Sequence, residues 1–436
     1  MFIVLAGVFL ALAGSGTLSA TAQQSIIQAM QKGKIITSST DPLVPVGFDC
    51  SKIHELGIDK QENFRAGAIM IACGEVPGAA TSATSTLGPV GRFFQKLLAP
   101  LAYGAADIDL INHPETPPNI TQSETFTWAN PDNPYHVVVA YNDSRGRNFS
   151  PINISGASVS TDGGTTFDRL TRANGQSPFD NTLGDPVVFY NRPTSTWFTV
   201  WLDVGCGGQS LGGYKSTTPW DPNSWTHYCI HSGSNDDRES GWVDENPSSP
   251  FANRMYVSWN DFTRGQGIFV RFSTDNGLTW TNERQITTSF IRNVQITGDK
   301  VTGDVYIAGM DENAGNGCSS GCGTNRNNKI YRSTDGGNTW TNTYTGPTFV
   351  GACRSALGYF CMMYSSPAYW RHMSWGQPAA FNHVVSLVYG AKNGSDPGDV
   401  YYIRSTDSGV TFSAPFQLNS NTDVTKAQWE PNLSVS

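Results

Sequence analysis

No run of basic residues occurs in this chain, no apolar stretch beyond the N-terminus approaches 18 residues, and no two cysteines have the C-x-x-C spacing. Each absence removes a class of function. Without a basic patch, and with a formal net charge of −8, a nucleic-acid backbone is not an expected partner. Without a long apolar run, no membrane span remains once the N-terminal segment is set aside. Charged residues are also scarce, at 15%, which excludes a long coiled coil and a highly charged disordered chain. What fills the space is 45 Gly, 24 Pro and 11% aromatics in 436 residues. That balance fits a folded, turn-rich protein: one large all-β unit or two to three ordinary domains.

The N-terminus also lacks something, since its first charged side chain is Lys32. The apolar run from Met1 is followed by small residues and the A-x-A site Ala20-Thr21-Ala22. This reads as a secretory signal peptide over 1–22, with either the terminal amine supplying the charge or a misplaced start site. The expected location is secreted, extracellular or periplasmic. Eight cysteines agree, in near pairs Cys50/Cys73, Cys206/Cys229, Cys318/Cys322 and Cys353/Cys361. An even count in an exported chain favours disulfides, and we take sequential pairing as the expectation although spacing does not fix connectivity. The rival is a metal site in "THYCIH", where His227, Cys229 and His231 share one strand face.

One phrase recurs: "SVSTDGGTTF" (158–167), "RFSTDNGLTW" (271–280), "YRSTDGGNTW" (331–340) and "IRSTDSGVTF" (403–412), with a degenerate copy, "YKSTTPWDPNSW" (214–225), midway in the longest gap. Five units spaced by about sixty residues indicate a repeat architecture. β-rich residues precede each copy. Asp162, Asp275, Asp335 and Asp407 are placed to accept backbone N–H groups. Gly164, Gly277, Gly337 and Gly409 permit positive φ. The closing aromatics Phe167, Trp280, Trp340 and Phe412 are large enough to fill the space between sheets.

The pattern S-x-D-x-G-x-T-W/F resembles the Asp box, or bacterial neuraminidase repeat, of sialidase-type β-propellers. The resemblance covers 158–412 and implies that each box joins the third and fourth strands of a four-stranded blade. Strands such as "HVVVAYND", "TWFTVWLD" and "RMYVSWND" precede the boxes. Blades are therefore expected over 120–180, 184–232, 242–290, 292–346 and 375–420, with an insertion at 347–374. "QWEPNLSVS" (428–436) resembles the opening strand of a sixth. The expected fold is thus all-β: a propeller over 111–436, six or seven blades in the intact protein, behind an extension and linker over 23–110. An open blade leaves an unpaired edge, so the chain reads as a fragment, or its ring is completed by a strand at 64–74. "RFFQKLLAPLAYGA" (92–105) is apolar and reads as a helix packed on the propeller, a reading that its length favours over a membrane role.

In a four-stranded meander the strand 3–4 turns share a face with the strand 1–2 turns, so the Asp boxes mark the face away from the usual ligand side. Residues ending strand 2 or starting strand 1 face the other way. Asp143, Asp261, Asp185 and Glu245 are the catalytic candidates, because converging carboxylates can act as general acid and base on a glycoside. Arg145, Arg147, Arg264, Asp203 and Asp244 are the substrate-binding candidates, since arginine holds a sugar carboxylate bidentately. Glu124, Asp311 and Glu312 occupy similar places. The structural alternative is that these acids cap turns and pair locally.

A sialidase would carry an Arg-Ile-Pro triplet, three carboxylate-binding arginines, a Tyr/Glu pair and an Asp acid/base. No Arg-Ile-Pro occurs, and "NFRAG" (63–67) holds the nearest early arginine, so no catalytic set transfers residue by residue. The expected function is a secreted carbohydrate-active propeller, sialidase-like or acting on another polysaccharide. The alternative is a non-catalytic extracellular propeller binding glycans or proteins. Trp201, Trp220, Trp225, Trp242, Trp259, Trp370 and Trp375 suit either reading, since indole stacks on sugars as readily as it fills a blade interface. No cofactor is required; calcium in the oxygen-rich loop "DENAGNG" (311–317) is a candidate without the spacing of a defined calcium motif.

Overall fold

The repeated phrase builds the same turn four times. In the copy at 271–280, Ser273 Oγ donates to Asp275 Oδ1 at 2.8 Å and accepts Gly277 N at 2.9 Å, while Asp275 Oδ1 also accepts Thr279 N at 2.9 Å. The same bonds link Ser160, Asp162, Gly164 and Thr166, then Ser333, Asp335, Gly337 and Thr339, then Ser405, Asp407, Gly409 and Thr411. Gly277 sits at φ 74°, and a Cβ there would lie 2.7 Å from the Phe198 ring of the preceding blade. Glycine is required there by backbone conformation and by space. The degenerate copy replaces the aspartate with serines: Ser216 and Ser224 hydroxyls meet at 2.6 Å, and Trp225 Nε1 donates to Pro219 O.

These turns punctuate five four-stranded antiparallel meanders arranged as the blades of an all-β propeller. The structure, a computed structural model, describes residues 34–39, 41–61, 63–74, 110, 122–311, 326–351, 376–394, 396–421, 423–424, 428 and 431–435. Blade strands span 122–169, 187–231, 236–285, 292–345 and 377–417, and the first strand of each blade touches the first strand of the next. Aromatic side chains seal the blade interfaces: Phe412 lies 4.6 Å from Tyr344, centroid to centroid, and Trp201, Trp225, Trp242 and Trp259 are buried. Burial of surfaces of that size is the main stabilising contribution of such a ring.

Three expectations change. Blade 3 begins at Asp236 rather than 242: its first strand, Asp236–Val243, reads DDRESGWV and is almost wholly buried. A polar strand beside the axis has no hydrophobic alternation to reveal it. Residues 64–74 are not a strand. Phe64–Cys73 is an α-helix, capped by Asn63 Oδ1 accepting Ala66 N at 2.9 Å and ended by Gly74 at φ 82°. Its buried Ala66, Ile69, Met70 and Cys73 recur at helical spacing. Residues 431–435, where a sixth blade was expected to open, form no strand.

Cys50–Cys73 and Cys206–Cys229 are disulfides, so Cys229 of "THYCIH" offers no free thiol to a metal here. The signal segment, the 92–105 segment, Cys318, Cys322, Cys353, Cys361, Trp370, Trp375, Glu312 and most of "DENAGNG" lie outside the described residues. No described helix is long and apolar enough to cross a membrane.

Candidate functional site

The strand 2–3 loops and the inter-blade connections form one face, and the N-terminal unit lies on it. Asp41 pairs with Arg147 of blade 1. Gln61 accepts Gln209 Nε2 of blade 2 at 3.3 Å and donates to Asn235, just before blade 3, at 2.6 Å. Asn63 Nδ2 donates to Asp237 of blade 3 at 2.8 Å. Gly57 packs so closely on the Phe262 ring that a Cβ would approach within 2.7 Å. Ile36, Leu43, Ile53, Ile58 and Ile69 share one apolar core with blades 2 and 3. The unit is thus packed on blades 1 to 3 and shares their core.

Beneath it the first strands carry a repeated irregularity. Glu124, Asp185, Arg238 and Asn293 hold corresponding places in blades 1 to 4, and each has φ between 52° and 58°. In blades 1, 3 and 4 a bulge interrupts the pairing there. Bulges re-aim side chains. Arg238 donates to Asn293 Oδ1 at 3.1 Å, and Asn293 donates to Gly376 O at 2.6 Å, so blades 3, 4 and 5 are linked in succession. Burial raises the Asp185 carboxyl well above the usual carboxylate range, and Glu124 adds repulsion. Burial raises Glu239 likewise, and neither of its carboxylate oxygens has a hydrogen-bond partner among the described residues. Asp185 is thus the one catalytic candidate at the axis.

The strand 2 acids do not converge there. Asp143 accepts Arg145 Nε and Arg169 Nη2, both at 2.8 Å. Asp203 pairs with His227 at 2.7 Å, Asp261 with Arg264, and Asp311 with Lys329 at 2.9 Å. Each acid is paired with a base of its own blade. Asp244 and Glu245 lie on the opposite face from the one expected, because they end the first strand of blade 3 instead of starting it. Asp244 binds Ser249; Glu245 accepts Trp128 Nε1 at 3.0 Å and Lys300 Nζ at 2.9 Å.

An open cavity of about 590 Å³ lies among the described residues on the side of the strand 2–3 loops. It lies between blades 2 and 3, lined chiefly by His231, Asp261, Arg264, Arg271 and Glu283. His231 Nδ1 and Asp236 Oδ2 share a hydrogen bond at 2.6 Å, which turns Nε2 toward Glu283, 3.4 Å away. Arg264 binds Glu283 and Asp261, and Arg271 Nη2 lies 3.8 Å from Glu283. Three basic groups therefore surround one carboxylate. Burial pushes Asp236 up to about 6, against the His231 hydrogen bond. The hydrogen bond from Arg264 holds Glu283 below its ordinary value. Of this group, sequence pattern marks only Asp261 and Arg264 as site residues. His231 stands out in the sequence only beside the cysteine of "THYCIH"; Arg271 opens one copy of the repeated phrase where the others carry Ser158, Tyr331 and Ile403, and Asp236 and Glu283 have no repeat position to mark them.

No known family matches this chain by sequence profile, and no curated protein is similar to it. Solved structures of similar fold include an exo-β-1,3-galactanase from Phanerochaete chrysosporium, at 12% identity and TM-score 0.36, covering 68% of this chain and 60% of that one. This chain thus spans under two thirds of the galactanase. An α-L-arabinofuranosidase catalytic domain from Coprinopsis cinerea matches at 14% identity and TM-score 0.38, over 68% of this chain and 95% of that one. A polysaccharide lyase described as an ulvan lyase matches at 11% and 0.42, over 69% of each.

Proposed function

We propose that this propeller is a secreted carbohydrate-active protein that engages an acidic glycan in the cavity between blades 2 and 3, as a sialidase-like glycosidase or a related polysaccharide-acting enzyme. The supporting observation is the convergence of His231, Arg264 and Arg271 on the Glu283 carboxylate in an open cavity. A site that surrounds one carboxylate with bases suits a sugar carboxylate, which guanidinium groups bind bidentately. The two carboxyls near His231 are pushed in opposite directions, Asp236 up and Glu283 down. Opposed shifts are how acid and base roles separate in one site. In this reading Glu283 is the base or nucleophile, and His231, oriented by Asp236, transfers the proton. Asp261 holds Arg264 in place.

The binding reading has its own support, since every strand 2 acid named above is already paired. The test is to incubate the intact protein with sialosides and uronate-containing polysaccharides, measuring both retention and new reducing ends. Turnover by the native chain that falls at least about 100-fold in Glu283→Gln supports hydrolysis. Retention without turnover, lost in Arg271→Ala, supports binding. Neither retention nor turnover by folded protein rejects both.

A further inference from the structure

The Cys206 and Cys229 sulfurs and a ring nitrogen of His227 lie within 4.8 Å of one another, and Asp203 Oδ2 lies 2.7 Å from His227 Nε2. We propose that these four side chains form a latent zinc site, masked by the Cys206–Cys229 disulfide and opened when a dithiol reduces it. Two thiolates, an imidazole and a carboxylate are donors that zinc accepts in tetrahedral geometry, with bonds of about 2.0–2.3 Å. Such bonds set neighbouring donors roughly 3.5 Å apart, and Cys206 Sγ is 3.8 Å from His227 Nε2.

The fold holds the donors from two sides. His227 and Cys229 alternate onto one face of the outer strand Thr226–His231. Cys206 ends the short helical turn Val204–Cys206, and Asp203 caps that turn by accepting Gly205 N at 2.7 Å. Between them runs the strand Ser210–Ser216, where Gly212 leaves the floor open: a Cβ there would collide with both Asp203 Oδ2 and Cys206 Sγ. Cys206 is buried whereas Cys229 and His227 are exposed, so a reductant reaches the bridge at the Cys229 sulfur and Cys206 leaves beside the imidazole.

The chemistry balances with the dithiol as co-reactant. Its thiolate attacks Cys229 Sγ, the Cys206–Cys229 bond breaks, and the resulting mixed disulfide is displaced by the second thiol. The dithiol ends as a cyclic disulfide, and two electrons and two protons have passed to the cysteines. Zinc then binds the two sulfurs as thiolates, releasing those protons.

The test uses the full chain, reduced with a dithiol and then desalted under anaerobic conditions, with zinc stoichiometry read by a chromophoric chelator. Because other cysteines are reduced as well, the reference is Cys206→Ser/Cys229→Ser under identical treatment. The reduced native chain should bind one zinc more than the reference, and cobalt in its place should give a thiolate charge-transfer band. His227→Ala should weaken that zinc by about 10–100-fold, and the oxidised native chain should bind none at this site. Equal uptake by the native and reference chains overturns the proposal. So does loss of the near-ultraviolet circular dichroism on reduction that zinc fails to restore.

Discussion

The side-chain amide of Asn63 donates to the Asp237 carboxylate at 2.8 Å, across 174 residues of sequence. The same side chain caps the helix Phe64–Cys73. One residue therefore starts the N-terminal unit's helix and fixes that unit to the axial strand of blade 3.

Asn63→Ala removes the cap, which costs about 1 kcal/mol, and takes a donor from the buried Asp237, which costs about 1–3 kcal/mol more. Denaturant unfolding should show a loss of about 2–4 kcal/mol. A loss under about 0.5 kcal/mol would mean that the contact does not hold the unit in place.

Alanine at three left-handed glycines separates backbone strain from crowding. A Cβ added at Gly394 would meet no atom within 4 Å, whereas one at Gly277 would face the Phe198 ring at 2.7 Å. Gly394→Ala should cost about 1–2 kcal/mol, the backbone penalty, and Gly277→Ala about 1–3 kcal/mol beyond that for overpacking. Gly409, whose nearest atom would be Tyr306 at 3.1 Å, should fall between them. Equal midpoint shifts for all three would remove Phe198 from the account.

Stability should fall as pH rises from about 4 to about 6. Asp236 is raised to about 6 in the fold, against about 3.9 unfolded, so the folded state binds the extra proton over that window. Its contribution is complete below the unfolded value and is lost as pH passes the folded one, at no more than about 1.4 kcal/mol per pH unit. Asp236→Asn should flatten this slope. Glu239→Gln should flatten the slope between about pH 4 and 6 as well and, unlike Asp236→Asn, should also flatten the profile at higher pH, because burial raises Glu239 well above its ordinary value. An unchanged profile in both variants would show that neither carboxyl keeps its proton in the fold.

Asp143 and Glu283 should separate stability from chemistry. Asp143 is held by two arginines, Arg145 and the buried Arg169, in blade 1, so Asp143→Ala should lower the unfolding free energy by about 3–5 kcal/mol, the cost of breaking a buried pair. Glu283→Gln should act on glycan turnover or retention instead. If Asp143→Asn abolishes turnover while the unfolding midpoint is retained, the site lies in blade 1.

The blades were legible because their turns are local: Ser273, Asp275, Gly277 and Thr279 satisfy one another within seven residues. The apolar second strands were legible by composition. The first strand of blade 3 was not, because DDRESGWV is polar and its burial comes from neighbouring blades and the N-terminal unit. That misplacement carried Asp244 and Glu245 to the wrong face. The helix at 64–73 was hidden by its apolar residues, which suit a buried helix or strand alike, although Asn63 and Gly74 bracket it as caps. The cavity escaped because Asp236, His231 and Glu283 belong to a strand start, an outer strand end and a loop, brought together only by the docking of two blades.

The N-terminal unit closes its own disulfide across 23 residues, yet its anchors at Asn235 and Asp237 belong to the third blade and its approach. During synthesis it therefore emerges early and can tie its own loop before any blade exists. Its final berth is made only after two blades and the start of a third have left the ribosome. What is first in the chain waits for the first two blades before it is seated, and a ring missing its third blade would leave that unit without its anchors at Asn235 and Asp237.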